Sequence, residues 1–317
     1  MADVAAPAPT SQSQIGTSAP YARRKITLTF QLGAGNFRGT GANKVTIEGL
    51  RVHFQATQVN MPSPSQAVIR VFGLTLEQIN QLTQAGTQFY VPANRQNEVL
   101  VQAGDWNGGP LTTVWKGKIY EAYPEFNSMP ETAFVILANP AFDLQLTPVA
   151  PISFPGTVQA SQVFQQIAQQ AGITVVNNGV KGTFQSPYFP GNVWQQLRKA
   201  VQAANCFAWF DGANNRLVLY PKSGGTSQAP LKTISPATGM IGFPEFMHAR
   251  IRLRVIFDPS LQAVGPSYTV QVNSQLTAAN GPALVNQVDY DLESENPGGS
   301  WEMIVTAVPL AVAQQTA

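Results

Sequence analysis

The stretch RIRLRVIF (residues 250–257) sets Arg250, Arg252 and Arg254 at every second position, with Ile251, Leu253 and Val255 between them. Extended backbone turns alternate side chains to opposite faces. The stretch therefore reads as a strand with three guanidinium groups on one side and an apolar stripe on the other. If its relatives elsewhere in the chain share the two-residue period, the protein is built of strands.

They do. KITLTFQL (25–32) puts Ile26, Leu28 and Phe30 on one face. GAGNFRGTGANK (33–44) has the glycine content of a phosphate loop, but it lacks GK[ST], no helix follows, and VTIEGLRVHFQA (45–56) alternates again as strand. It reads as a long hairpin loop. AVIRVFGLTLEQINQLTQAG (67–86) joins a strand to a helix: Thr75 caps it with Gln78 three residues on, Leu74 and Ile79 form the staple, and Gly86 closes it. NEVLVQAGD (97–105), LTTVWKGKIYEAYPEF (111–126) and ETAFVILAN (131–139) are further strands. Residues 22–147 thus form a mainly β unit with one helix.

Proline-rich TPVAPISFPG (147–156) opens a different region. In ASQVFQQIAQQAGITVV (160–176), Val163, Phe164, Ile167, Ala168 and Ala171 recur at helical spacing, and Gly172 ends the helix before a strand. In PGNVWQQLRKAVQAANC (190–206), Asn192 caps with Gln195, and Val193, Trp194, Leu197 and Val201 make the buried stripe. FAWFDGANNRLVLYP (207–221) is a hairpin turning at Asp211-Gly212 and Asn214-Asn215. Residues 148–221 are a small α+β module. After the linker KSGGTSQAP (222–230), strands return in HARIRLRVIF, SYTVQVNSQL, NQVDYDLES and WEMIVTAV, so 222–308 is a second β unit. Residues 1–21, rich in Ala, Pro, Ser, Thr and Gln, read as a flexible N-terminal arm, and 309–317 as a frayed tail.

Of 317 residues, 11% are charged and 44% hydrophobic, which favours a protein whose surface is covered by neighbours. A net charge of +2 gives no argument for nucleic acid or membrane. The N-terminus has no Sec-type pattern and no run is long enough to span a bilayer, so synthesis in a cytoplasm without stable membrane association is expected. The single cysteine, Cys206, is flanked by Phe207 and reads as a buried hydrophobe.

Chemistry is not signposted. His53 and His248 stand outside any metal-ligand spacing, no GxSxG occurs, and Glu121, Glu125 and Glu131 are scattered over strands and loops. His53 reads as a strand histidine, and no cofactor or metal is expected. Trp194 and Trp209 fall on core faces, whereas Trp106 is expected to be exposed. Asp289, Asp291, Glu293 and Glu295 repeat at every second position of NQVDYDLESEN (286–296). The expected site is a charge ladder in which Arg250, Arg252 and Arg254 face Asp289, Asp291 and Glu293. At about 0.2–1 kcal/mol per pair it would set strand register rather than drive folding.

Several strings, in their order, resemble baseplate hub proteins of contractile-tailed bacteriophages. They are residues 67–86 followed by VLVQAGDWNGGPLTTVWKGKIYEAYPEF (99–126), then GVKGTFQSPYFPGNVWQQLRKAVQAAN (179–205), ISPATGMIGFPEF (234–246) and DLESENPGGSWEMIVTA (291–307). The likeness covers about residues 25–308. It implies two tube-type, barrel-like β domains flanking the α+β module, and a homotrimer that presents six such domains in a ring. That ring would join the hexameric tail tube protein to the trimeric central spike protein at the virion's baseplate. Wedge and tape-measure proteins are further partners, DNA passes only in transit, and type VI secretion spike proteins share the architecture. LRVHFQ with IRVFG loosely parallels LRVIFD with YTVQV, as a duplication would. A non-enzymatic structural role is the reading; the alternatives are a cell-wall-degrading hydrolase or esterase with a dispersed site, and a monomeric cell-surface binding module.

Overall fold

The apolar positions Ile26, Leu28 and Phe30 lie buried along β1 (Arg24–Gln31). The computed structural model describes residues 23–86, 96–106, 111–127, 129, 131–222, 231–257 and 269–310. The arm, the linker from 223 to 230 and the tail from 311 lie outside the described residues. After β1 the glycine-rich segment is the expected hairpin loop, held where Leu32 donates to Asn43 O at 2.9 Å and Phe37 to Ala42 O at 2.8 Å. The following alternation does not stay one strand. It divides into β2 (Lys44–Ile47) and β3 (Val52–Val59) at a turn where Gly49 has φ 72°. There follow β4 (Gln66–Phe72), α1 (Leu76–Leu82), β5 (Glu98–Asp105), β6 (Thr112–Glu125), β7 (Ala133–Asn139) and α2 (Phe142–Leu146). Thr75 and Gln78 make the reciprocal cap expected of them.

The module contains β8 (Ile152–Ser153), β9 (Thr157–Gln159), α3 (Ala160–Gln169), β10 (Thr174–Asn177), β11 (Thr183–Gln185), β12 (Tyr188–Phe189), α4 (Val193–Ala203), β13 (Cys206–Asp211) and β14 (Arg216–Pro221). The last unit comprises β15 (Lys232–Ile234), β16 (Glu245–Met247), β17 (Arg250–Ile256), β18 (Thr269–Val272), β19 (Gly281–Ser294) and β20 (Trp301–Pro309). The protein is mainly β with an α+β module between two strand-rich units.

Those two units are joined by hydrogen bonds. One 13-stranded sheet runs β16-β17-β20-β19-β3-β4-β7-β6-β5-β1-β2, with β18 on β19 and β15 on β18. The seam is β19, which meets β18 over Gly281–Leu284 and then β3 over Gln287–Ser294, after a register shift at Val285/Gln287. A bulge of this kind bends a long strand, which lets it serve two neighbours in turn. The segment from β15 to β16 spans the opening between β18 and β17. Ile234 O accepts from Asn273 N at one end, and Ile241 N donates to Arg254 O at the other.

A single apolar core fills both units. Its aromatic rings form a chain across the seam: Trp115 to Phe54 at 6.4 Å, Phe54 to Tyr290 at 6.3 Å, Tyr290 to Phe257 at 6.4 Å and Phe257 to Trp301 at 5.5 Å. The module has a separate core, with Val163, Phe164, Ile167, Leu197 and Leu219 at its centre. Asn192 and Gln195 cap α4 as the sequence requires. Trp194 packs against this core, but Trp209 does not join it: Cys206, Ala208 and Phe210 take the inward positions of β13, and the alternation turns Trp209 to the other face.

Among the described residues, three contacts that tie the module to the sheet stand out. Met61, just beyond β3, donates from its backbone to Ala208 O at 2.8 Å and enters the module's core with Ala141 and Leu144. The buried Tyr220 hydroxyl donates to Asn60 Oδ1 at 2.5 Å. The third is the β13–β14 turn, where Gly212 lies against Lys116 and Pro140. Replacing Tyr220 by Phe removes one buried hydrogen bond and leaves the Asn60 oxygen without that donor. The expected loss is about 1–2 kcal/mol in urea unfolding with an unchanged m-value; an unaltered midpoint would show that the hydroxyl does not hold the module.

Candidate assembly surface

The alternation of β17 is as the sequence predicts: Ile251, Leu253 and Val255 are buried, and the arginines stand on the opposite face. Their partners are different from those expected. Arg254 grips Glu302 of β20 with two hydrogen bonds of 2.6 and 2.7 Å, and Arg252 lies 3.5 Å from Glu245 of β16. Arg250 has no carboxylate partner among the described residues. The direct ladder to Asp289, Asp291 and Glu293 is not made, because β20 runs between β17 and β19 and sets Ile304 between Arg254 and Asp289. A short turn links β19 to β20, so that hairpin claims the neighbouring edge and leaves β17 the far side of β20.

The acidic row instead binds the first β unit. Asp289 accepts from Thr57 Oγ1 at 2.7 Å, Asp291 pairs with His53 Nε2 at 2.7 Å, and Glu293 takes Arg51 Nε at 2.9 Å. Arg51 also reaches Glu131 at 3.1 Å. The Glu293 hydrogen bond, partly offset by burial and joined by charge, holds the Arg51 guanidinium above its ordinary value. These contacts are part-buried, Glu293 most of all, and cross-strand pairs contribute about 0.2–1 kcal/mol each. Their effect is on register, since a one-residue slip of β19 would turn all three carboxylates to the apolar face, away from these partners. His53 is thus a strand histidine with a register partner.

Arg23 and Arg24, at the start of β1, form a second contact that the sequence did not advertise. Arg23 holds both oxygens of Glu295 with bonds of 2.6 to 3.0 Å, and Arg24 donates to Gly299 O at 2.7 Å. Trp106 is partly exposed, as expected, yet Arg23 and Lys25 sit over its ring at 4.2 and 4.7 Å. The N-terminal end of β1 is therefore pinned to the β19–β20 turn.

Between the β13–β14 turn and the face of β5 and β6 lies an open polar cleft of about 260 Å³, lined by Glu98, Lys116, Lys118, Asp143 and Asn215 among others. Burial pushes the Glu98 carboxyl up, but Lys118 at 2.6 Å and Lys116 at 3.1 Å outweigh it and hold it below its ordinary value. Glu98 is thus shared by both lysines, and Lys118 also donates to Gln96 Oε1 at 2.8 Å. Cys206 is buried, and burial pushes its thiol up to about 11, the state of a packing residue. Among the described residues no three His, Cys, Asp or Glu side chains group as metal ligands, and no helix is long and apolar enough to cross a membrane.

Among the described residues, exposed apolar side chains gather at two places of use to assembly. Every residue of β16 is exposed, and so is Phe243, at 64%, two residues before it. At the β6–β7 tip, Tyr123, Phe126 and Met129 are exposed, Met129 at 76%. Edge strands are normally short, charged or covered, and contiguous exposed apolar side chains mark interaction surfaces. The arrangement offers surfaces for assembly.

Comparison with known proteins agrees. A family model described as "Baseplate hub gp41" matches residues 25–298. No curated protein sequence matches the chain. Among solved structures, the 43 kDa tail protein of prophage MuSo2 from Shewanella oneidensis superposes with a TM-score of 0.59 at 10% identity, covering 92% of this chain and 98% of that one. The tail protein from Neisseria meningitidis MC58 gives 0.59 at 8% identity, over 90% and 96% of the two chains. The E. coli c3393 protein, a type VI secretion component structurally similar to the T4 tail proteins gp27 and gp5, gives 0.55 at 10% identity, over 87% and 76%. At such identities these three structures establish a shared fold.

Proposed function

Since this chain belongs to the baseplate hub gp41 family, we propose that it acts as a homotrimeric adaptor between the hexameric tail tube and the trimeric central spike. Its role is that of a structural component of the phage tail baseplate. In the adaptor, the β units of residues 22–147 and 222–308 take near-equivalent places around one axis, so that three chains offer six tube-type units to the tube. The other face keeps threefold symmetry for the spike. Wedge and tape-measure proteins contact its periphery, and DNA crosses it only in transit. The adaptor works by geometry and not by catalysis.

The observation that carries this reading is the shared sheet. Strand pairing from β16 to β2 makes the two β units one body, which holds both at a set spacing. The uncovered ends and apolar patches support neighbours around the axis, since head-to-tail contacts repeat until a ring closes. Light scattering on the purified chain, alone and with its spike protein, tests the adaptor. Three copies are expected in one of the two samples; a monomer in both contradicts it.

A further inference from the structure

The two uncovered patches have opposite charge. On the β16–β17 hairpin, Phe246 and Met247 are exposed beside Arg250, the cation of the row that has no carboxylate partner among the described residues. At the β6–β7 tip, Phe126 and Met129 are exposed beside Glu125, which is in no ion pair among the described residues. Seven steps along the hydrogen-bonded path, from β16 to β6, separate the hairpin from the tip. One chain's own strand order does not bring them side by side.

We propose that the hairpin of one copy seats on the β6–β7 tip of the next, with Phe246 and Met247 packing on Phe126 and Met129 while Arg250 meets Glu125. The proposal rests on the ring reading above and names its contact. The hairpin's one carboxylate, Glu245, lies 3.5 Å from Arg252, so a hairpin-to-hairpin contact offers Arg250 no carboxylate that is not already paired. The open β2 edge is the competing seat, and it presents the exposed Lys44, a like charge. Apolar burial supplies the binding, and the opposed charges set orientation and exclude the wrong seats. A contact between two different patches is head-to-tail, the type that closes into rings.

Sedimentation equilibrium of the full chain, alone and with its spike protein, tests the seat. Arg250→Glu and Glu125→Arg should each weaken self-association on the order of tenfold, and the double variant should recover most of the loss. Circular dichroism checks that each variant folds; should one fail, Arg250→Gln and Glu125→Gln replace it, with the same direction and a smaller effect. Unchanged association in both single variants overturns this seat and leaves the trimer standing. A double variant as weak as the two losses combined also overturns it. A wild-type chain that stays monomeric in both samples overturns the seat and the trimer together.

Discussion

Phe54→Ala is expected to cost about 3–5 kcal/mol, the usual range for deleting a fully buried aromatic ring, and to weaken both β units at once. Phe54 belongs to β3, and its ring stands between Trp115 of the first unit and Tyr290 of the second. Removing it opens a cavity where the aromatic chain crosses the seam. Separate β units would confine the damage to residues 24–139. Because one core fills both, amide protection should fall together in β1–β7 and in β17–β20, and chemical unfolding of the two should keep a single midpoint. Protection lost only in the first unit would show that the seam is a contact between independent domains.

Gly212→Ala should be nearly as damaging as Gly212→Val, because the clash begins at the first carbon. A Cβ built on Gly212 would lie 2.5 Å from Lys116 O and 2.6 Å from Pro140 Cβ. The neighbours are a strand carbonyl and a proline ring, neither of which can swing aside. The backbone there is not left-handed, so the requirement is one of space and not of conformation. Overpacking of this kind costs about 1–3 kcal/mol. The strain falls between the module and the sheet, so limited proteolysis should release residues 148–221 faster while the sheet's own unfolding midpoint moves less. An alanine variant as resistant as wild type would mean that the turn yields without cost.

Local features were legible in the sequence, and neighbour relations were not. Alternation identified the buried faces of β1 and β17, and the pairs Thr75/Gln78 and Asn192/Gln195 located the starts of α1 and α4. These signals act over a few residues. Alternation says which face a side chain takes and nothing about which strand lies alongside. The arginine and acidic rows were therefore matched to each other, when β20 lies between them and β3 receives the carboxylates. The split between β2 and β3 hid inside one apolar alternation, marked only by Gly49. The Arg23–Glu295 clamp joins residues 272 apart, beyond any local pattern. Gly212 was legible as a turn residue; the carbonyl it approaches was not. The hub resemblance was read over residues 25–308 and the family model matches 25–298, because strings in fixed order preserve relationships that pairwise strand logic cannot supply.

The most direct measurement is a reconstruction of the assembled tail at the hub, computed without imposed symmetry. The account predicts three copies of the chain, with residues 22–147 and 222–308 of each alternating around the axis at one radius, six places in all. Six copies, or three copies with one of the two β units lying outside the ring, would contradict it.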